Sequence, residues 1–499
     1  MSTFVNSINR SFEKYETKNA FIYGDETFSY GRIKEAIDRF AQCLVDSGVG
    51  KGDAVVILLP NLVQFPISYF AAISIGAIAV PVNFLHSRTQ LQSQLNSIQP
   101  RAIIVWDKIL PKTEPYISSG TQSVFVLGEN VPFEYQDFTR MLTETEPATQ
   151  FPEIADDDTA LIVFTPGNSG EPKAIEMSHG ALSKCTLMFR ESFLLNSSES
   201  FLAAMPLFLI VSQIVLLNSV LFSGANVLLF PAFNNRAILN RIKELNSVVV
   251  FGNKSLVCRL FTDGVPGDVN EKIKYCIVYG DCESPNDVEV LAEAMDGRFF
   301  EGYALSEAGA FVALNRESLG RRKGSVGLPM EGVYILVVDE LGNPVAENEA
   351  GEILVKAPGM MKGYWKQLES DSHLMPDGWF NTGDIGRIDS DGYLHVLERK
   401  ENVILKDGFY VFPREIELCL AEHQNIKEVA VVGVSDATHG QEVKACIVLQ
   451  QNTSVSPSEI KSFCQNQFEL YKCPQHIQFY TQLPKSATGR ILKYLLKES

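Results

Sequence analysis

The sequence predicts an α/β protein: a large N-terminal domain of parallel α/β sheets plus a small barrel-like section, followed by a small α+β C-terminal domain. Three observations carry that prediction. Continuous Val/Ile runs alternate with helical patterns over most of the chain. Glycine and proline become dense between about residues 320 and 395. The pattern changes again near residue 400.

Taken in order, "YGRIKEAIDRFAQCLVDSGV" has apolar residues at helical spacing and stops at a glycine. "DAVVILLP" is a short buried strand, "FPISYFAAISIGA" a helix and "AIAVPVN" another strand, and "PRAIIVW", "QSVFVLG", "ANVLLFP" and "SVVVFG" repeat the theme. Unbroken apolar strands separated by helices indicate parallel sheets covered on both faces. The apolar window "FLAAMPLFLIVSQIVLLNSVLFSGANVLLF" is interrupted by Pro206, Ser212, Gln213, Asn218 and Gly224. It reads as a buried helix followed by a strand, not as a membrane span. "YILVVD" and "GEILVKA" alternate, as antiparallel strands do. In "HVLERKENVILKDGFYV" the charged residues Glu398 to Glu401 separate two strands with no packing role evident, which places a domain boundary near 400. Beyond it come the helix "PREIELCLAEH", strands "EVAVVGV" and "VKACIVLQ", the helix "PSEIKSFCQNQ" and a last helix, "GRILKYLLKE".

A chain of 499 residues exceeds a single hydrophobic core, and 45% hydrophobic residues supply material for more than one. The net charge of -17 gives no general attraction to nucleic acid or anionic membrane, so an anionic ligand must be met by local groups. Nine cysteines contain no C-x-x-C pair and read as reduced thiols; seven histidines never pair at i, i+4, which speaks against an imidazole metal site. The first twenty residues lack the features of a signal or transit peptide, and the expectation is a cytoplasmic protein.

Four stretches hold candidate chemistry. "FTPGNSGEPK" follows the strand "TALIV"; Gly167 and Gly170 free the backbone to turn N–H groups toward a ligand, Thr165, Asn168 and Ser169 add donors, and Lys173 adds charge. The P-loop spacing is absent, and alone the stretch suits a phosphate cradle or a surface turn equally. "GYALSEAG" carries Glu307, a single carboxylate of the kind Mg²⁺ takes beside phosphate oxygens, or a solvated Glu at a helix start. In the same stretch Tyr303 has a ring able to stack on a base. Asp384 in "NTGDIGRID" suits ribose hydroxyls or a turn, and "PKSATGRILK" presents Arg490.

The order of these stretches resembles the adenylate-forming superfamily of acyl-CoA synthetases, carrier-protein adenylation domains and luciferases. The likeness runs from "FSYGRIKEAIDRFAQCLVDSGVGKGDAVVILLPN" through "GAIAVPVN", "KGSVGLP", "GEILVKAPGMMKGYW", "NTGDIGRID" and "DGFYVFPREIE" to "PKSATGRILK". The resemblance implies a nucleotide- and acyl-binding domain at 1–398, a hinge at 399–402 and a mobile lid at 403–499. It implies ATP- and Mg²⁺-dependent activation of a small-molecule carboxylic acid as an acyl-adenylate, then transfer to a thiol of CoA or of an acyl carrier protein's phosphopantetheine. On this likeness Thr165, Gly167, Asn168, Ser169, Gly170 and Lys173 cover the phosphates, and Tyr303 and Ser306 lie beside the nucleotide. Glu307 holds Mg²⁺, Asp384 binds the ribose and Arg399 supports the nucleotide. Phe208, Leu209 and Gly302 face the acid, Glu401 is the hinge, Gly408 borders the thiol tunnel, and Arg490, Glu307 and Lys173 are catalytic.

Departures from the family pattern gather around the nucleotide. Pro166, Asn168, Ser169 and Ala174 alter the phosphate loop, Ala304 replaces a glycine, and Glu283 replaces a small residue or proline. Arg490 stands where the family carries lysine; arginine keeps the charge but is planar and longer. Lys493, one helical turn on, and Lys485 are alternative cations. Leu209, where the family often has His or Asp, cannot pair with an ammonium and disfavours a free α-amino acid, while Phe208, Ile210 and Val211 beside it suit an apolar or aromatic acid or equally a core. The expectation is slowed adenylation; an acyl transferase of the second half-reaction alone, or a non-catalytic nucleotide- or acyl-binding relative, shares the same residues.

Overall fold

The computed structural model describes residues 3–165, 173–280, 285–315, 321–366, 373–407, 409–436, 438–485 and 491–497. Among these, the first part of the chain builds a nine-stranded and an eight-stranded sheet. In the first, the strands Asn19–Tyr23, Asn226–Leu229, Ser200–Ala203, Val248–Asn253, Ile273–Tyr279 and Phe299–Leu305 run parallel in that spatial order. In the second, Thr159–Thr165, Ile78–Pro81, Ala54–Leu58, Ala102–Trp106, Ser123–Leu127 and Gln136–Asp137 do the same. Each sheet ends in antiparallel strands at the edge nearest the candidate site.

The unbroken apolar runs have a direct physical reading. Val55 and Ile57 face one core while Ala54, Val56 and Leu58 face another, and Phe201 and Ala203 likewise alternate with Leu202 and Ala204. With period-2 side chains, both faces must be apolar when helices cover both. The shared central core also takes the helix Gln64–Ser74, buried from Phe65 to Ser74. Each Phe, Leu or Ile so buried contributes about 1.5–3 kcal/mol. The helix Tyr30–Asp46 begins where Ser29 accepts the Arg32 N–H at 3.2 Å and buries Ile33, Ile37, Phe40, Ala41 and Leu44 on one face.

The 201–230 window holds one strand more than its pattern predicts. Ser200–Ala203 is a strand, the helical run Ile210–Ser223 includes a π-turn at Gln213–Asn218, and Asn226–Leu229 is the second strand. Gly224 joins them at φ +74°, with the Tyr15 ring 2.6 Å from where a Cβ would sit. Among the described residues no helix is long and apolar enough to cross a membrane.

The section expected to be barrel-like is a four-stranded antiparallel sheet of Tyr334–Val338, Gly351–Lys356, Phe380–Ile388 and Leu394–Arg399. A 3-10 turn, Lys400–Asn402, leads from it into a five-stranded sheet with helices Pro413–Ala421 and Pro457–Gln465. The last helix is shorter than its pattern, Tyr494–Lys497, because Ile491 forms a β-bridge with Lys485 before it. Eight cysteines among the described residues are free thiols, seven of them buried.

Candidate active site

The candidate residues gather where strands of the two large sheets end. Thr165 closes one parallel strand and pairs with Lys173, which opens the antiparallel strand Lys173–Ser178. In the other sheet, Phe299–Leu305 is followed by a single 3-10 turn, Ser306–Ala308, and the chain reverses at Gly309, φ +83°. A side chain at Gly309 would collide with Cys185 Sγ, so only glycine permits this turn.

Tyr364 links the two strand ends. Its short strand pairs with Ile175, the Lys173 ammonium lies 4.8 Å from its ring centroid, and its hydroxyl donates to Glu307 Oε1 at 3.3 Å. Burial, and then the Glu307 charge, push the Tyr364 hydroxyl well above its usual range, so it stays a donor. Lys173 and Glu307, a cation and a carboxylate from separate sheets, are thereby held around one aromatic ring.

A second constellation stands beside it. Asp384 is buried; its Oδ1 pairs with Arg399 Nε at 2.8 Å and its Oδ2 accepts the Tyr303 hydroxyl. The Asp384 N–H donates to Thr382 Oγ1 at 3.0 Å, and Arg399 Nη1 donates to the Thr382 carbonyl at 3.2 Å. Asp384 and Arg399 are cross-strand partners in the antiparallel sheet, which fixes their approach. Burial and the Asp384 charge hold the Tyr303 hydroxyl protonated, well above its usual value. Arg399 also lies within Coulombic reach of Glu307, which brings the two constellations together electrostatically. Glu307 is half-buried, a hard oxygen donor beside a lysine, which fits Mg²⁺ held by one carboxylate together with phosphate oxygens.

Phe208 and Leu209, the residues expected to face the acid, are half-buried at the start of the helical run, and Phe208 meets Phe84 edge to face at 6.2 Å. Asn61 fixes the loop before them: its Nδ2 donates to the carbonyls of Ala203 and Met205 at 3.0 and 2.8 Å, and its Oδ1 accepts the Leu207 N–H at 2.9 Å. Gly302 is buried against the Phe311 ring, which leaves no room for a Cβ, so its smallness serves packing on that face. Phe311 meets Phe251 and Tyr279, which stack on each other at 5.7 Å, giving an aromatic wall.

Three sequence readings need correction or restriction. The charged run from Glu398 does have a packing role: Glu398 is buried and Arg399 is tied to Asp384. Lys493 sits in a turn directly before the helix Tyr494–Lys497, and its ammonium is committed to Glu417 at 2.9 Å and Glu398 at 3.3 Å; Lys485 is paired with Glu428 at 3.0 Å. Pro166, Gly167, Asn168, Ser169, Gly170, Glu283, Gly408 and Arg490 lie outside the described residues. Glu401 is exposed in the turn between the last strand of the antiparallel sheet and the five-stranded sheet. Sequence reasoning missed Tyr364, Asn61 and Thr382, although "KGYW", "LLPN" and "NTGD" contain them.

Carboxylates and cations thus converge where strands of the two large sheets end. The chain belongs to the AMP-binding enzyme family: that family's model matches residues 8–365, and the AMP-binding enzyme C-terminal domain matches residues 415–490. It is 29% identical to the long-chain-fatty-acid–CoA ligase of Salmonella typhimurium, over 97% of this chain and 92% of that protein. It is 27% identical to the feruloyl-CoA synthase of an Amycolatopsis species, over 94% of each. Among solved structures it is similar to ATP-bound MatB from Rhodopseudomonas palustris, with TM-score 0.92 and 25% identity over 99% of this chain and 98% of that one. It shares its fold with a benzoate CoA ligase from Burkholderia xenovorans, TM-score 0.87 at 24% identity over the whole of both chains.

Proposed function

We propose that this chain is an ATP- and Mg²⁺-dependent ligase that joins an apolar or aromatic carboxylic acid to the thiol of CoA, or of a carrier's phosphopantetheine. The observation that carries the reading is the arrangement in which Lys173 and Glu307 both meet Tyr364 while Asp384 is held by Tyr303 and Arg399. The kinship with CoA ligases of fatty and aromatic acids supports it.

In the first half-reaction a carboxylate oxygen attacks the α-phosphate of ATP, the bond to pyrophosphate breaks, and an acyl-adenylate forms. Thr165 and Lys173, with Gly167, Asn168, Ser169 and Gly170 of the intervening segment, meet the phosphates. Mg²⁺ bound at Glu307 would neutralise phosphate charge, while Asp384 accepts ribose hydroxyls and Tyr303 and Ser306 border the nucleotide. Arg490 supplies a cation, in place of the lysine usual in the family. In the second half-reaction the thiol sulfur attacks the acyl carbon and AMP leaves with the bonding pair. The lobes divide at 1–398 and 403–499, the turn 399–402 with Glu401 is the hinge, and Gly408 borders the thiol path. Phe208, Leu209 and the aromatic wall near Gly302 offer the acid no charge to pair with, which favours apolar and aromatic acids over α-amino acids.

The test is ATP–pyrophosphate exchange driven by a panel of fatty, aromatic and amino acids. Exchange is expected with apolar or aromatic members, followed by thioester on adding CoA. If no acid drives exchange, and calorimetry finds no uptake of ATP–Mg²⁺ at millimolar concentration, the ligase reading is wrong.

A further inference from the structure

At the joint between the lobes, adjacent residues of one strand face opposite ways. Arg399 turns to Asp384 at 2.8 Å, while Glu398 is buried toward the small lobe. Glu398 Oε2 accepts from Lys493 Nζ at 3.3 Å; its Oε1 accepts the Arg399 N–H at 2.9 Å and Asn402 Nδ2 at 3.1 Å. Lys493 belongs to the small lobe, immediately before the helix Tyr494–Lys497, and pairs with Glu417 of Pro413–Ala421 at 2.9 Å. Glu417 Oε1 accepts the Val431 N–H at 2.6 Å, so it is anchored within the small lobe.

One ammonium, its side chain 17% exposed, therefore sits between a carboxylate of each lobe. Other polar ties across the joint among the described residues are exposed: Tyr410 to Glu340, and Lys497 Nζ to the Glu401 carbonyl at 3.3 Å. Exposed ties are weak, whereas removing the shared cation from a buried cluster leaves two carboxylates facing each other unpaired. Deleting Lys493 turns an attraction between the lobes into a repulsion. The hinge is affected directly, because the same Glu398 carboxylate binds the backbone of Arg399 and the side chain of Asn402.

Resting on the ligase reading above, we propose that Lys493 is a positioning residue that seats the small lobe against the hinge for acid activation. Glu398, which receives the small lobe, is next to Arg399, which holds Asp384, so seating the lobe and setting the nucleotide-side carboxylate are one local event.

The experiment compares wild type with Lys493→Met, Lys493→Arg and Glu398→Gln in the full chain. ATP–pyrophosphate exchange reads the first half-reaction. Hydrogen exchange of the 399–402 amides reads the joint without any turnover. Lys493→Met is expected to slow the first half-reaction at least tenfold. It should speed exchange at 399–402 at least tenfold while leaving the strand Ala54–Leu58 protected. Lys493→Arg should restore both readouts to within threefold. Glu398→Gln, which leaves the small lobe intact, should show the same pattern and decides the matter if Lys493→Met does not fold. An unchanged first half-reaction, or unchanged amide exchange at 399–402, overturns the proposal. If wild type drives no exchange with any acid, the ligase reading fails separately, and the amide readout alone decides whether Lys493 ties the joint.

Discussion

Both carboxylate oxygens of Asp384 are engaged by the protein, one by Arg399 and one by Tyr303. Asp384→Asn gives up the charge and puts an NH₂ against either the guanidinium or the Tyr303 hydroxyl. A hydrogen bond to a charged group is worth about 1.5–3 kcal/mol, so KM for ATP should rise roughly 10- to 100-fold in acid-driven exchange. An ATP KM within threefold of wild type removes Asp384 from the nucleotide site. Asn61 is a different case, since its partners are all backbone groups of the loop before Phe208. Asn61→Ala strands two carbonyls and an N–H in a buried place, and a loss of about 3 kcal/mol is expected in urea unfolding. Asp384, Lys173 and Glu307 are legible in the sequence because each stands in a recognisable short motif. Tyr364 is not, because its role depends on meeting Glu307 from 57 residues away. Glu398 is hidden for the same reason: a charged run looks solvated until a lysine 95 residues on is known to be buried against it.

Among the elements, the legible ones are those whose environment is uniform along their length. A strand with helices on both faces must be apolar throughout, and Ala54–Leu58 or Ala102–Trp106 can hardly be read otherwise. The N-terminal helix Phe4–Lys14 is easily passed over as a polar, charged stretch, although Phe4, Val5, Ile8 and Phe12 recur at helical spacing and are buried on one face. The strand Ser200–Ala203 merges with the apolar helix that follows, since periodicity does not separate a four-residue strand from a buried helix. What separates the helix from the next strand is Gly224, whose φ of +74° and contact with Tyr15 both require the absence of a side chain. Gly224→Ala combines a left-handed backbone with a Cβ about 2.6 Å from an aromatic ring, and the backbone part alone costs about 1–2 kcal/mol. A fall in unfolding free energy of at least about 2 kcal/mol is expected. A loss below about 0.5 kcal/mol in urea would show that Tyr15 moves aside and that the turn tolerates the strain.

For the molecule as a whole, the response to acid distinguishes burial from ion pairing. His179 opens the helix His179–Ser192 fully buried, and neither ring nitrogen has a hydrogen-bond partner among the described residues. Burial lowers its pKa to about 4, against the upward pull of Asp158 and Asp156. The folded state then binds fewer protons than the unfolded state between about pH 6.5 and 4, so stability falls as pH is lowered through that window and levels off below it. Asp389 behaves differently: burial pushes its pKa up, but hydrogen bonds from His395 and Arg322 outweigh that and hold it far below the usual range. Its contribution is present above about pH 4 and is lost only as pH falls further. Unfolding in urea at about pH 7 and about pH 4.5 separates the two. With a folded pKa of about 4 for His179, the difference between those conditions should include about 2 kcal/mol from this residue. His179→Leu should remove that part of the slope, whereas Asp389→Asn should lower stability at both pH values and leave the slope between them nearly unchanged. A His179→Leu protein that keeps the full wild-type difference would mean that the imidazole finds a proton-sharing partner on folding, and that the acid response of this fold arises elsewhere.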